Sequence, residues 1–590
     1  MSVYAVLLLI FITGPVLAAE RVPLLTWWIA GPLDKIHPSD QAPHAAPKAA
    51  SLKAARNEFE PFQVALRAEA ADIDGIDVEV SDFRGPGGAR IAGDTVTVYA
   101  EQFIDLAKPS SVDGGTGPWP DALIPRTDRY AHERRNAFPL TLHRGVTQPL
   151  WFEIYVPQSA APGKYSATAT ISRRGAVEFT VPINLTVWSF ALPSTSSFKT
   201  TFGLNGVTAL KQHRGSYTSD SDLYALTRLY AKAALLHRVS THGGSMAPPK
   251  STCDGRRVGI DWHAYDAEVA PLLEGKAVSG DDPLPGARAT TVELRAPSAF
   301  DSVDCESAYY AAWMKHFQEK GWDSRLFVYL WDEPKPGDAS KVADHARTVL
   351  HAAPAVLTLI TTPFNVNLND LVRIWVPLVN CLETRPSFAN YCAEQPPLIA
   401  YRSEKEHPKS LWFYQSCASH GCNSVGGPYF TGWPSYMIDA PGTANRVMPW
   451  VAWKFDIQGE LYYNMNEAYA YDKDPWINVR IAGGNGDGTL FYPGRPNRIG
   501  GHSDIPIESI RLKLIREGLE DYEYLALAAK LGGNKVADDF AARIVSEPYQ
   551  WESAPDKFLA VRNELGDLLD NLTRSAAAGT THAQQAQQRY

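Results

Sequence analysis

The sequence predicts a multidomain β plus α/β chain: an N-terminal β-sandwich, then a (β/α)8 TIM-type barrel, then C-terminal helices. Three observations carry this. Short alternating segments punctuated by Gly, Pro and Asp fill residues 20–195, the pattern of antiparallel strands. From residue 196 strand-like and helix-like stretches alternate until eight strands have passed, the rhythm of a barrel rather than a doubly wound sheet. A chain of 590 residues also exceeds a single hydrophobic core.

The chain opens on a continuously apolar run at 3–12, broken by Gly14-Pro15 and followed by the small residues Ala18-Ala19. Residues 1–19 therefore read as an export signal, although no Lys or Arg precedes the run. It is too short to cross a bilayer, and no later apolar stretch is longer. The expectation is an exported protein, periplasmic or extracellular, with no stable membrane span. Six cysteines, all mid-chain, suit disulfides. Among the pairings they allow, the local ones Cys417–Cys422 and Cys381–Cys392 are preferred, leaving Cys253 with Cys305. A net charge of −9 and a pI near 5.9 argue against a nucleic-acid partner.

In the sandwich, 62–67, 95–99, 150–156, 165–171 and 181–187 alternate with period two. This part carries no cluster of titratable residues. The barrel is assigned to 196–500, with strands at 198–205, 238–242, 291–294, 325–331, 356–361, 374–379, 411–415 and 460–463. Helical spacing separates them at 220–237, 307–320, 339–350 and 442–453. A Gly/Pro-rich excursion at about 243–290 reads as an inserted loop. No glycine-rich phosphate turn follows the first strand, which counts against a dinucleotide-binding fold. The glycines of 483–488 read as a rim loop with positive φ. A C-terminal helical segment, 501–574, packs on the barrel, and its long helix at 507–531 carries Glu520 and Glu523 among arginines, read as packing ion pairs. The tail 575–590 reads as unstructured.

The chemistry concentrates at Phe327-Val-Tyr-Leu-Trp-Asp332-Glu333-Pro334, an apolar strand that stops at two adjacent carboxylates. Burying a carboxylate is costly unless it is paired or protonated, so two at the end of a core strand suggest a site. Barrel active sites sit at the C-terminal ends of the strands. Those ends supply Asn205, His242, Asp332 with Glu333, Asn380 with Glu383, and Asn464. Around them lie Trp331, Trp375, Trp412, Tyr414, Trp453 and Tyr463. Amides, carboxylates and aromatic faces together suit a sugar, so these residues are the candidate substrate-binding set.

Several stretches, in order from Lys53 to Leu531, together resemble glycoside hydrolase family 123 and its relatives. They are Arg56-Asn-Glu-Phe-Glu60, Trp331-Asp-Glu-Pro334, Ile374-Trp-Val-Pro377, Leu411-Trp-Phe-Tyr414, Gly459-Glu-Leu-Tyr-Tyr-Asn464, Gly486-Asp-Gly-Thr-Leu-Phe-Tyr-Pro493, and the helix from Ile510 to Tyr524. The resemblance implies a β-N-acetylhexosaminidase acting on a glycan or glycoconjugate, with N-acetylgalactosaminides as the substrate class. It also implies Glu333 as general acid/base and Asp332 as the residue orienting the 2-acetamido group. Tyr462-Tyr463-Asn464 departs from the relatives, where a Trp often stands.

The spacing agrees with that chemistry. A two-carboxylate retaining enzyme needs its groups about 5–5.5 Å apart on opposite sides of the anomeric carbon. Adjacent residues reach one side of it together, which suits attack by the substrate's own acetamide. Pro334 biases Glu333 toward extended backbone. No metal and no cofactor is called for. Two alternatives stand beside this reading: Glu333 working with a remote carboxylate such as Glu383 on another sugar, and a non-catalytic carbohydrate-binding protein.

Overall fold

The computed structural model describes residues 24–587, apart from 244–247, 256, 298–299, 384–397, 402–409, 423–431 and 472. The export signal at 1–19 and the Cys381–Cys392 pairing lie outside the described residues.

Two sheets stack face to face over residues 25–191. One runs in the order Leu25–Ala30, Glu58–Ala68, Thr147–Val156, Val96–Leu106, Gly117–Pro125. The other runs Ala50–Arg56, Ala176–Ala191, Gly163–Arg173, Ile73–Val80, Leu140–Leu142. Alternate residues meet between them, Phe62, Val64 and Leu66 facing a core that includes Ile171, Val181 and Ile183. Strand Glu58–Ala68 is buried on both faces, because its outer side meets the C-terminal helices.

Eight parallel strands follow: β1 (Lys199–Gly203), β2 (Thr241–His242), β3 (Val292–Glu293), β4 (Leu326–Asp332), β5 (Leu357–Thr361), β6 (Ile374–Trp375), β7 (Ser410–Gln415) and β8 (Gly459–Tyr462). Each overlaps one of the expected strands. Their order is β2-β1-β8-β7-β6-β5-β4-β3, a nearly closed barrel. At the seam between β2 and β3, side chains stand in for the ladder: Ser240 Oγ lies 2.9 Å from Thr290 Oγ1, and Gly243 N–H donates to Glu293 Oε2 at 2.8 Å. Phe327, Leu359, Ile374, Trp412 and Leu461 fill the lumen. The opposite strand faces join a larger core under the surrounding helices.

Those helices include α1 (Gly206–Arg214), α2 (Asp220–Leu236), α3 (Trp262–Glu274), α4 (Val303–Lys320) and α5 (Ala339–Ala352), then the short α6 (Gly442–Arg446) and α7 (Met448–Lys454). Helix α3 corrects the reading of 243–290 as an inserted loop. Tyr265, Val269, Leu272 and Leu273 give it a buried face, Asp261 caps its start, and Gly275 ends it at φ 78°. Before it, a hairpin of Lys250–Asp254 and Arg257–Asp261 is tied to α4 by the Cys253–Cys305 disulfide.

Helix α8 (Ile510–Gly532) lies between sandwich and barrel with both faces buried. A fully buried charged helix is tolerable only if its charges are paired and hydrogen-bonded. Arg511 makes two bonds to Asp121, at 2.9 and 2.8 Å. Lys513 and Arg516 both reach Glu153, and Asp521 accepts from Arg446. Glu520 takes Arg238, and Glu523 accepts from Ser196 and Ser197, so both acids serve packing. Helices α9 (Asn534–Ile544) and α10 (Pro555–Gln587) complete the layer. α10 extends past Ser575 as far as Gln587, into the stretch read as an unstructured tail.

Candidate active site

At the C-terminal mouth of the barrel a cleft of about 500 Å³ is lined by Tyr329, Asp332, Glu333, Thr361, Tyr414, Ser416, Tyr463 and Glu467, with Tyr471, Lys473 and Arg480 further round. Strand β4 delivers the acid pair through an irregularity. Its register against β5 shifts between Tyr329 and Trp331, as a bulge does. In a regular strand Tyr329 and Asp332 would face opposite sides. The extra residue brings both into the cleft, and the Tyr329 hydroxyl donates to Asp332 Oδ1 at 2.8 Å. Thr361, ending β5, donates to the same oxygen at 3.0 Å and accepts the Glu333 N–H at 3.0 Å. Tyr414, near the end of β7, donates to Glu333 Oε1 at 2.6 Å.

Glu333 sits at φ 45°, in the left-handed region that costs a residue with a Cβ roughly 1–2 kcal/mol. This corrects the expectation that Pro334 would hold it extended. The bonds from Thr361 and Tyr414 at its two ends hold the turn. Burial, and after it the neighbouring carboxylates, push the Tyr329 and Tyr414 phenols well above their usual pKa, so both stay protonated as donors. Tyr463 is raised in the same way, first by burial and then by Asp487, to whose Oδ2 its hydroxyl donates at 3.1 Å. Asp487 also accepts from Cys417 N–H at 2.8 Å, and burial lifts its carboxyl to about 7. The disulfide Cys417–Cys422 stands behind this wall, and Ala418 and Ser419 within its loop line the cleft.

Of the residues expected at the site, Asp332, Glu333, Tyr414 and Tyr463 line the cleft. Asn464 stands just behind it: its Nδ2 donates to Glu467 Oε2 at 2.6 Å and so orients that carboxylate into the cleft. The others are corrections. The β4 bulge turns Trp331 outward, half-buried against the outer core. Trp375 occupies the outward position of β6, its ring 5.2 Å from Phe364. Trp412 does point into the lumen, but one layer too deep, bonded to Ser410 at 2.8 Å. Trp453 lies on α7 and donates to Asp538. Asn205 caps α1, accepting from Thr208 N–H at 3.1 Å. Asn380 is fully buried in the turn Val379–Cys381. His242 is buried at the end of β2 and outside the cleft lining, its pKa lowered by burial. Glu383 also lies outside the lining, its carboxyl raised by burial and then by Glu547.

Sequence reasoning missed Tyr329, Thr361, Ser416, Glu467, Tyr471, Lys473 and Arg480. Thr361 and Ser416 were within reach, since they stand at the ends of correctly placed strands. The last four come from the segment after β8. There Gly483, Gly486 and Gly488 adopt φ of 92°, 83° and 62°, in keeping with the rim loop read from the sequence. Gly486 is obligatory for a second reason: a Cβ there would lie 2.8 Å from the Arg511 guanidinium.

Among the described residues, no group of three or more His, Cys, Asp or Glu side chains could hold a metal ion, and no helix is long and apolar enough to cross a membrane.

The family model described as the glycoside hydrolase 123 catalytic domain matches residues 303–528, and that of the glycoside hydrolase 123 N-terminal domain matches 37–173. Among solved structures, a family 123 glycoside hydrolase from Clostridium perfringens, described in terms of glycolipid glycan hydrolysis, superposes with a TM-score of 0.67 at 13% identity. The match covers 94% of this chain and 100% of that one. A GH5 xyloglucanase from Bacteroides ovatus matches at 10% identity over 80% of this chain and 99% of that one, with a TM-score of 0.29 too low to carry any argument. No curated protein sequence matches.

Proposed function

The chain belongs to glycoside hydrolase family 123, and we propose that it cleaves β-N-acetylhexosaminides, N-acetylgalactosaminides foremost, with retention and with the substrate's acetamide as nucleophile. The observation that carries this is the pair itself: consecutive carboxylates, Asp332 and Glu333, open into one cleft and are held by separate hydroxyls.

In the first step the acetamide oxygen attacks C1, the C1–O bond to the leaving group breaks, and Glu333 gives its proton to the departing oxygen. Asp332 receives the acetamide N–H and stabilises the positive charge developing on the oxazolinium. Its Oδ1 is engaged by Tyr329 and Thr361, so Oδ2 is the oxygen for the acetamide. In the second step Glu333 takes a proton from water as that water attacks C1, and the acetamide is regenerated. Because the nucleophile comes from the substrate, no protein carboxylate has to stand on the face of C1 opposite the leaving group.

The test uses aryl β-N-acetylgalactosaminide and glucosaminide substrates with wild type, Glu333→Gln and Asp332→Asn, plus a thiazoline mimic of the oxazoline. Losses of roughly 10²–10⁴-fold in kcat are expected for each variant, with tight thiazoline inhibition of wild type. Undiminished turnover in Glu333→Gln would sink the assignment.

One observation supports a second reading, in which a remote carboxylate completes the site: Glu467 lines the same cleft. That role would fall to Glu467 rather than Glu383, and turnover of glycosides lacking the acetamide would favour it. Export of the protein is supported by the disulfides Cys253–Cys305 and Cys417–Cys422. Recovery of the protein from reduced cytosol alone would overturn that part.

A further inference from the structure

Strands β4 and β8 stand four places apart around eight, so the segment following β8 forms the wall of the cleft opposite the acid pair. That wall carries two cations, Lys473 and Arg480. Neither forms an ion pair among the described residues. Arg480 is held instead by neutral oxygens: Nη1 donates to Lys108 O at 2.8 Å, Pro109 O at 3.2 Å and Asn485 Oδ1 at 3.1 Å, and Nη2 to Pro109 O at 3.2 Å. Carbonyls fix the guanidinium in place with no carboxylate in direct contact among the described residues. Lys473 Nζ lies 5.6 Å from the Tyr471 ring centroid, a contact that likewise leaves the ammonium its charge.

Cations packed between sandwich and barrel are treated differently. Arg511, Lys513, Arg516, Arg446 and Arg562 are each matched by a carboxylate within 3 Å. Lys473 and Arg480 share the cleft with Asp332, Glu333 and Glu467 yet form no ion pair with them, a placement a neutral sugar does not call for. A sulfate or carboxylate group would use them: the Arg480 Nε–H and second Nη2 hydrogen, which no protein acceptor takes among the described residues, and the ammonium offer charge-assisted bonds to its oxygens.

We propose that Lys473 and Arg480 form a subsite for an anionic substituent, a sulfate ester or a carboxylate, on the N-acetylhexosamine-containing glycan. The inference rests on the proposed glycosidase reading, and it names the substrate class more narrowly. A sulfate would be carried on the sugar in the cleft, a carboxylate on a neighbouring uronic acid.

Binding by the Glu333→Gln protein tests the subsite without relying on turnover. Three probes are compared by calorimetry: N-acetylgalactosamine, its 6-sulfate, and a disaccharide joining N-acetylgalactosamine to a uronic acid. One anionic probe is expected to bind at least 10-fold tighter than the neutral sugar, and which one identifies the source of the charge. In Lys473→Met and Arg480→Gln backgrounds the ratio is expected to fall at least 5-fold, with Lys473→Arg restoring it. Lys473→Met guards against a folding artefact, because Arg480 also holds the Lys108–Pro109 backbone. Raising salt from 50 to 500 mM should erode the anionic preference and leave neutral binding as it was. Equal binding of all three probes, or a preference that survives both substitutions, overturns the subsite. Failure of the proposed reaction would show separately, as absence of aryl glycoside turnover by wild type.

Discussion

The Tyr414 hydroxyl donates to Glu333 Oε1 at 2.6 Å, across the barrel mouth from β7 to the end of β4. It is a direct side-chain bond to the proposed acid. Removing it by Tyr414→Phe takes away a hydrogen bond to an ionisable group, worth about 1.5–3 kcal/mol. The expected loss in kcat/KM is roughly 10–100-fold, with an unfolding midpoint little changed. A variant as active as wild type would remove Tyr414 from the machinery.

Thr361 holds both members of the pair, through Asp332 Oδ1 and the Glu333 N–H. Thr361→Val keeps the shape and loses the hydroxyl. It is expected to lower kcat more than Tyr329→Phe, which loses contacts to Asp332 and Thr361 but leaves the Glu333 N–H bond in place. Steady-state kinetics of the two variants, side by side, check the order.

Glu460 is buried, accepts from Tyr436 at 3.0 Å, and is lifted by burial to about 8. Its folded pKa is above the unfolded one, so the native state keeps a proton that the unfolded chain gives up from about pH 4.5 upward. Stability is therefore lost as pH rises through that window and levels off near 8. Glu460→Gln should match wild type near pH 4.5 and exceed it by roughly 1–3 kcal/mol at pH 8. Thermal unfolding at several pH values reads this directly, and a gap that narrows with rising pH would contradict it.

Arg511 and Asp121 are both fully buried and joined by two bonds between α8 and the sandwich. Breaking such a pair from one side leaves an uncompensated charge and costs about 3–5 kcal/mol. Arg511→Met should drop the unfolding midpoint sharply, and Asp121→Asn somewhat less because the amide still accepts a bond. Calorimetry of both variants provides the measurement.

Reduction of Cys417–Cys422 should separate function from stability. The bridge spans five positions, so the chain entropy it removes is small. It nevertheless carries Ala418 and Ser419 into the cleft, and the Cys417 N–H binds Asp487 behind Tyr463. Cys417→Ser with Cys422→Ser is expected to raise KM several-fold while the midpoint moves little.

The barrel was legible in the sequence because parallel strands buried on both faces read as apolar runs, and each of the eight fell where expected. Asp332 and Glu333 were legible because carboxylates at the end of such a run have few structural uses. The tryptophans misled for a geometric reason. Whether a strand residue faces lumen or helices depends on parity and depth, and a run such as Ile374-Trp375 does not declare its parity. Ile374 faces the lumen and Trp375 the helices. At Trp331 even correct parity would have failed, because the bulge reverses it. Glu467, Lys473 and Arg480 were hidden because a loop's side chains are aimed by what it packs on, here carbonyls of the sandwich and Asn464.

The φ of 45° at Glu333 sets the demands of folding against those of chemistry at a single residue. Glycine there would relieve the left-handed strain at no steric cost, while abolishing the proposed acid. The same substitution removes the Tyr414 bond and adds the backbone entropy of glycine, so the strain relieved is set against what the side chain supplies. One residue therefore carries both a strained backbone and the proposed acid, and what keeps it in place is the hydroxyl partners that chemistry needs as well.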